Sequence, residues 1–399
     1  MVNVIGLGYI GLPTALMLAT HGVEVVGTDY NEQVVEKLKR GETTFKEGGL
    51  DELFSTAVEN GIKFSTEYQK TDMYIISVPT PYDRKSKKVD PIHVIKAVET
   101  VLSVAKDGAI IIIESTIAPG TIAKQVRPVV EGHNVHLAHA PERIIPGNMI
   151  YELVHNNRTI GADDKFIAEK VKNVYSSFCE GEIVTTDIRT AEMTKVVENT
   201  FRAVNIAFAN ELARICHSDN MDVYEIIHIC NMHPRVNILQ PGPGVGGHCI
   251  SVDPYFLVGD YPHLARVIDA SLRTNDAMPA FTMHRVYDIM KEKGLKDITR
   301  VGLYGLTYKE NVDDMRESPT LQLLASQKKH LGGGLKVYDP MISEDVVENQ
   351  YHNLDSFLND IDIIVIMVAH DELRESIEKL KGKIVLDTRN IYRGECYHL

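Results

Sequence analysis

Apolar residues along the chain fall into two alternating kinds of run. Short, continuous, largely β-branched stretches at 2–5, 23–28, 73–78, 109–114 and 135–138 are separated by amphipathic stretches at 12–20, 31–40, 91–104 and 121–130. A continuous apolar run suits a parallel strand covered on both faces, and strands alternating with helices predict a doubly wound sheet of the Rossmann kind. The pattern then changes. From Thr190 to about Cys216 no strand signal occurs, and the run AEMTKVVENTFRAVNIAFANELARI keeps helical periodicity over roughly seven turns at 3.6 residues per turn. Further helix is expected at 223–230 and 264–293, before strand-like runs at 300–304, 335–338, 361–369 and 384–386 restore the α/β alternation. The fold class expected is α/β: an N-terminal Rossmann domain over 1–189, a central long-helix region over 190–294, and a C-terminal Rossmann-like α/β domain over 295–399.

Composition narrows the picture. A chain of 399 residues, 44% hydrophobic and 24% charged, with no low-complexity tract, excludes a disordered, fibrous or single small module. Against 42 Lys+Arg stand 55 Asp+Glu, a balance of −13, which disfavours nucleic acid or an anionic membrane as partner, so a bound anion must be held by local donors. The longest apolar runs fall far short of a membrane span, and the chain opens on a strand and a glycine turn in place of a secretion signal, so a cytoplasmic location is expected. Five scattered cysteines without a C-x-x-C pair suggest neither a disulfide framework nor a zinc knuckle. Sixteen histidines show no H-x-x-x-H or H-E-x-x-H spacing, so no metal is expected. His133, His136 and His139 are expected to share one face of a strand, the basic run 84–88 to be a solvated loop, and the glycines 332–334 to end a helix.

Three places carry candidate chemistry. The turn after the first strand holds Gly6, Gly8 and Gly11 in G-x-G-x-x-G spacing, and Asp29 follows 18 residues after Gly11 at the end of the second strand. Glycines that follow a strand and open a helix, with a carboxylate placed for ribose hydroxyls, point to a dinucleotide, and the carboxylate favours NAD over NADP. On the long helix Lys195, Asn199 and Arg202 fall at i, i+4 and i+7, an ammonium, an amide and a guanidinium on one face; a solvated surface is an equally good reading of the spacing alone. The segment QPGPGVGGHCISVD at 240–253 ends a glycine-rich loop on Cys249, a setting for a nucleophile, whereas Cys216 and Cys230 lie on apolar helical stretches and read as core filler. A thiol beside a nicotinamide can add to an aldehyde, yield a thioester after a second oxidation, and release an acid to water. A second glycine turn, GLTYK at 305–309, adds a lysine and suits a different phosphate ligand.

Taken together, GLGYIGLP at 6–13, SVPTP at 77–81, EST at 114–116, APER at 140–143, the Lys195/Asn199 helix, GGHC at 246–249 and GLTYK at 305–309 resemble, in this order, the UDP-glucose/GDP-mannose dehydrogenase family. The resemblance spans nearly the whole chain. It implies two successive NAD reductions that take the C6 alcohol of a UDP-sugar to a carboxylate. Within the family, HPRVNIL at 233–239, GPGVGGHC and VDPYF are most similar to the branch acting on UDP-N-acetyl-D-mannosamine, whose product serves surface polysaccharide synthesis. Carried over residue by residue, the resemblance implies Cys249 as nucleophile, Lys195 and Asn199 as oxyanion stabilisers, Asp253 in proton handling, and Glu142 with Thr116 at the hydrolytic water. It implies NAD contacts at Tyr9, Ile10, Asp29, Thr80, Thr116 and Arg316 besides the glycines. For the UDP-sugar it implies Arg143, Ile144, Lys195, Asn199, Arg202, His233, Arg235, Gly246, Tyr308, Lys309 and Arg389. It also implies a homodimer or higher homo-oligomer built on the long helix. Val252 and Pro146 stand where the UDP-glucose branch has a lysine and a second glutamate, which makes UDP-glucose the less fitting alternative beside UDP-N-acetylglucosamine. A non-catalytic NAD-sensing protein is the alternative of a different class.

Overall fold

The computed structural model describes residues 1–83, 88–330 and 334–399. Residues 84–87 of the basic run 84–88 and the first two glycines of the 332–334 stretch lie outside the described residues. Met1–Glu198 and Asn199–Leu399 form two compact units, divided inside the helix Ile188–Ser218.

The first unit is built on β1 (Val2–Ile5), β2 (Val25–Thr28), β3 (Lys63–Ser65), β4 (Met73–Ile76), the short hairpin β5 (Tyr82–Asp83) and β6 (Lys88–Val89), then β7 (Ala109–Ile113), β8 (Val135–His139), β9 (Arg158–Ala162) and β10 (Ile183–Thr186). Apart from the hairpin, these strands form one sheet in the order β10-β9-β8-β7-β4-β1-β2-β3. All its pairs are parallel except β8 with β9, where Ala138 faces Ala162 and His139 faces Gly161. Strand β7 shows why the runs are continuously apolar. Ile110 and Ile112 join the core on one face of the sheet, while Ala109, Ile111 and Ile113 join the core on the other. Each of these isoleucines, fully buried, contributes about 1.5–3 kcal/mol. Strand order reverses between β1 and β4, and the glycine turn leaves β1 at that point.

The pattern of histidines is a correction. His133 precedes β8, and His136 and His139, three residues apart on a strand, point to opposite faces because strand side chains alternate with period two. Only His139 is fully buried, and its Nδ1 donates to the Ile113 carbonyl at 2.7 Å.

The second unit contains the rest of the long helix, the helices Val223–Asn231 and Asp253–Asp260, and two helices, Arg266–Asp276 and Met278–Glu292, where one was expected at 264–293. Pro279 explains the break: it lacks an N–H and sits in the first turn of the second helix, where none is needed. Five parallel strands follow: β11 (Val301–Tyr304), β12 (Lys336–Tyr338), β13 (Gln350–Tyr351), β14 (Ile363–Ile366) and β15 (Ile384–Asp387), in the order β13-β12-β11-β14-β15. Among the described residues no helix is long and apolar enough to cross a membrane.

Candidate active site

In the first unit the candidate cofactor residues gather on the carboxyl edge of the sheet. Gly6 takes φ +89°, and a Cβ there would run into the Ser77 carbonyl. A Cβ on Gly11 would run into the Gly6 carbonyl and lie 3.0 Å from the Ser77 Cβ, so the turn and the first helix pack too closely for any side chain. Above Gly8 the space is open. Asp29, at the end of β2, is fixed by two backbone donors: Leu7 N–H to Oδ2 at 2.8 Å and Asn31 N–H to Oδ1 at 2.9 Å. A carboxylate has about four acceptor sites, so two remain for hydroxyls. Thr80 donates to the Thr116 carbonyl at 2.8 Å, which ties the loops after β4 and β7 together. The Tyr9 ring lies tilted against Phe45, centroids 4.4 Å apart, and is partly exposed, whereas Ile10 packs on the core.

Beside this edge lies a buried charged cluster. Glu142, in the turn after β8, accepts from the Arg143 N–H at 2.7 Å and pairs with Arg158 Nη2. Arg158 Nη1 stands 4.0 Å from Glu114 Oε1, which accepts from the Tyr175 hydroxyl at 3.1 Å and from Thr14 at 3.3 Å. Burial, then the charge of Glu142, raises the Glu114 carboxyl to about 7. Arg143 spends its guanidinium on Thr159 Oγ1 (2.7 Å), the Asn157 carbonyl (3.2 Å) and Glu198 (2.8 Å), and the side chain of Ile144 belongs to the core. Arg158 has no counterpart in the sequence reading; a lone arginine opening an otherwise unremarkable RTIGA run was its only trace.

In the second unit the glycine-rich stretch runs into the helix Asp253–Asp260. The exposed Cys249 precedes that helix, and its carbonyl accepts from Val252 N–H (3.1 Å) and Asp253 N–H (2.9 Å). The loop lies against the Tyr308–Pro319 segment. Gly247 donates to the Arg316 carbonyl at 2.8 Å, and the Ser251 hydroxyl bonds the Gly247 carbonyl. A Cβ on Gly246 would stand 2.6 Å from the Tyr308 Cβ and 2.8 Å from the Glu317 carbonyl. Arg316 is clamped by Asp314 (2.6 Å); these hydrogen bonds, with smaller help from Tyr308 and Cys249, hold its guanidinium more firmly protonated, which places Arg316 within electrostatic reach of the thiol. Asn199 Nδ2 donates to Asp253 Oδ2 at 2.6 Å, both side chains being buried. Lys195, one turn earlier on the helix, is 6% exposed and Asn199 7%, while Arg202 on the same stripe is exposed. Cys216 is buried as expected, but Cys230 is exposed, because the end of its helix is not covered on that side.

Arg389 reaches the same loop: a Cβ on Gly242 would lie 3.1 Å from its Nη1, and its Nε donates to the Met367 carbonyl at 2.7 Å. Burial lowers its pKa against the opposing pull of Glu310. Lys309 follows Tyr308 in the turn after β11, its carbonyl accepting from Thr307 at 3.0 Å. His233 and Arg235 are exposed, joined by the Arg235 N–H to His233 Nδ1 at 3.3 Å.

Three family models of the UDP-glucose/GDP-mannose dehydrogenases match in order: the NAD binding domain at 1–179, the central domain at 189–277 and the UDP binding domain at 302–394. The chain belongs to this family. It is 45% identical, over 97% of its length and 92% of the relative's, to the UDP-N-acetyl-D-mannosamine dehydrogenase of Methanococcus maripaludis. Among solved structures, the native UDP-N-acetyl-mannosamine dehydrogenase Cap5O of Staphylococcus aureus is similar at TM-score 0.88 and 40% identity, covering 100% of this chain and 97% of that one. The UDP-D-ManNAc dehydrogenase of Pyrococcus horikoshii is similar at TM-score 0.91 and 36% identity, covering 100% and 99%. The family member described here is therefore an NAD-dependent dehydrogenase, which sets aside the non-catalytic alternative. The open space over Gly8, the start of the first helix and the two spare acceptor sites on Asp29 fit NAD.

Proposed function

We propose that this dehydrogenase oxidises UDP-N-acetyl-D-mannosamine at C6, through aldehyde to carboxylate, giving UDP-N-acetyl-D-mannosaminuronate for surface polysaccharide in the cytoplasm. The observation that carries the reading is the loop at 246–249: two glycines packed against Tyr308 present an exposed Cys249 immediately ahead of Asp253, whose carboxylate the Asn199 amide holds. The similarity to dehydrogenases of that sugar supports the choice of substrate.

When bound, NAD accepts a hydride in each of two oxidations. The chain's own residues do the rest. The Cys249 thiolate attacks the C6 aldehyde, and the resulting oxyanion is stabilised by the Lys195 ammonium and the Asn199 amide, each worth most where water is excluded. Loss of the C6 hydrogen converts this thiohemiacetal to a thioester. Glu142, with Thr116, draws a proton from water, which adds to the thioester carbonyl and expels the thiolate. Asp253 takes up and returns the proton of the C6 oxygen. Arg316 supports NAD binding, while Arg389, Lys309, Arg235, His233 and Arg202 give an otherwise acidic protein the local positive charge that the diphosphate of the UDP-sugar needs.

We further assign a homodimer to the long helix, whose Phe201, Phe208 and Ile215 are 67%, 51% and 48% exposed. Spaced seven residues apart, they form one apolar stripe, which water disfavours.

The test is the stoichiometry of NADH with UDP-N-acetylmannosamine, UDP-N-acetylglucosamine and UDP-glucose in separate reactions. Two NADH per molecule of the mannosamine sugar alone is the expected result. Two with another sugar overturns the substrate, and one NADH per sugar overturns the role of Cys249.

A further inference from the structure

We propose that Arg158 is a positioning residue for Glu142 in thioester hydrolysis, and that Glu114 holds the proton that lets this pair work while buried. The inference rests on the base role given to Glu142 above.

Three charged side chains meet here with almost no water: Glu114, Arg158 and Glu142 are 1%, 4% and 7% exposed. Arg158 lies with its guanidinium over the rings of Tyr175 (4.6 Å) and Phe178 (5.2 Å), pairs with Glu142 through Nη2, and faces Glu114 through Nη1 at 4.0 Å. Such a group is poorly explained as a contribution to stability, because apolar residues of the same volume often serve a core as well or better. Its placement suggests use instead. Glu142 sits in the turn after β8, on the carboxyl edge where Thr80 and Thr116 meet. One of its oxygens is fixed by the Arg143 N–H and the other by Arg158, so the carboxylate has a single orientation.

Charge counting assigns the partner. Two ionised carboxylates against one guanidinium leave a net negative charge in apolar surroundings, which costs more than holding one proton. The proton belongs on Glu114: the guanidinium pairs with Glu142 through Nη2 but stands 4.0 Å from Glu114 Oε1, whose other neighbours, Tyr175, Thr14 and Ser77, are neutral. The other titratable groups around the cluster do not compete for that proton. Burial lowers His139 to about 4, so it stays neutral; burial raises Tyr175 far above its ordinary range; and Cys179, also near Arg158, is buried. The carboxylate that the guanidinium holds, Glu142, is then the candidate base.

Rapid-quench kinetics with NAD and UDP-N-acetylmannosamine, with intact-mass detection of the Cys249 adduct from pH 5.5 to 9, test this. Arg158→Lys keeps the charge but loses the two-pronged hold. It should slow acid release at least tenfold and accumulate the thioester, with the first NADH formed and the KM for NAD within threefold of wild type. Wild-type hydrolysis should fall above a midpoint near pH 7, as an ionised Glu114 competes for Arg158; in Glu114→Gln that fall should vanish. Wild-type acid release in Arg158→Lys, with hydrolysis lost in Glu142→Gln, overturns the proposal alone. Normal hydrolysis in Glu142→Gln overturns the base role of Glu142 and this proposal with it. If Arg158→Lys does not fold, the Glu114→Gln profile decides, and persistence of the fall overturns the proposal.

Discussion

At the scale of single residues, two buried groups in the first unit push stability in opposite directions with pH. Burial raises Glu114 from its ordinary carboxylate range to about 7, so the folded state binds a proton there that the unfolded chain has released; stability falls as pH rises from about 4.5 to 7. Burial lowers His139 to about 4, so the unfolded chain binds the extra proton; stability rises with pH from about 4 to 6.5. A displacement of roughly 2.5 units is worth about 3 kcal/mol in each case, and the two nearly cancel in wild type. Single substitutions should uncover each slope. In urea unfolding between pH 4.5 and 7.5, Glu114→Gln should gain about 3 kcal/mol with rising pH through its remaining His139, and His139→Asn, whose amide can still meet the Ile113 carbonyl, should lose a similar amount. Parallel, flat profiles in both variants would rule this balance out.

At the scale of elements, the loop at 246–249 and the long helix each make a prediction. Gly246→Ala brings a Cβ to 2.6 Å from the Tyr308 Cβ and 2.8 Å from backbone oxygen, so the loop must lift. A displacement of about an ångström at a nucleophile costs on the order of a hundredfold in turnover. That loss should far exceed any change in the affinity for NAD, since all the dinucleotide residues except Arg316, whose carbonyl Gly247 holds, lie in the other unit; a weakened NAD affinity of the same size contradicts the argument. For the helix, Phe201→Asp with Phe208→Asp should convert a species of about twice 44.6 kDa into one of 44.6 kDa by light scattering. A wild type already at 44.6 kDa removes the dimer. These same elements show what the sequence reveals. The strands β1, β4, β7 and β14 were legible because both of their faces are largely buried and their residues, Asn3 apart, are apolar. Strands β3 and β9 were not, because β3 is half exposed and β9 begins on a charge and includes a glycine and a threonine. The glycine turns and Cys249 could be read from spacing. The Arg158 cluster could not, because its three members come from separate strand ends and meet only through the sheet order.

At the scale of the whole molecule, the chain uses one architecture twice, and only one copy is built for a dinucleotide. In each sheet an aspartate at the end of the second strand accepts an N–H from the glycine turn: Leu7 to Asp29 at 2.8 Å in the first, Leu306 to Asp339 at 2.5 Å in the second. The resemblance stops there. Asp339 is buried and also accepts from Thr307 N–H (2.9 Å), Met341 N–H (2.8 Å), and His370 Nε2 (3.2 Å); the Asn311 N–H donated to His370 Nδ1 assigns the proton to Nε2. Oδ2 takes all of these contacts except that of Met341, and Oδ1 is buried with it, so Asp339 offers no exposed acceptor to ribose and the second turn is stiffened by its own aspartate. Calorimetric titration should therefore find one NAD per chain. Asp29→Ala removes a charged acceptor worth about 1.5–3 kcal/mol, so NAD should bind roughly ten- to 150-fold more weakly. Asp339→Asn should lower the melting temperature and leave the NAD affinity within threefold. Two NAD per chain would show that the second sheet also binds the cofactor, and an affinity that survives Asp29→Ala and collapses in Asp339→Asn would show that the second sheet, not the first, holds it.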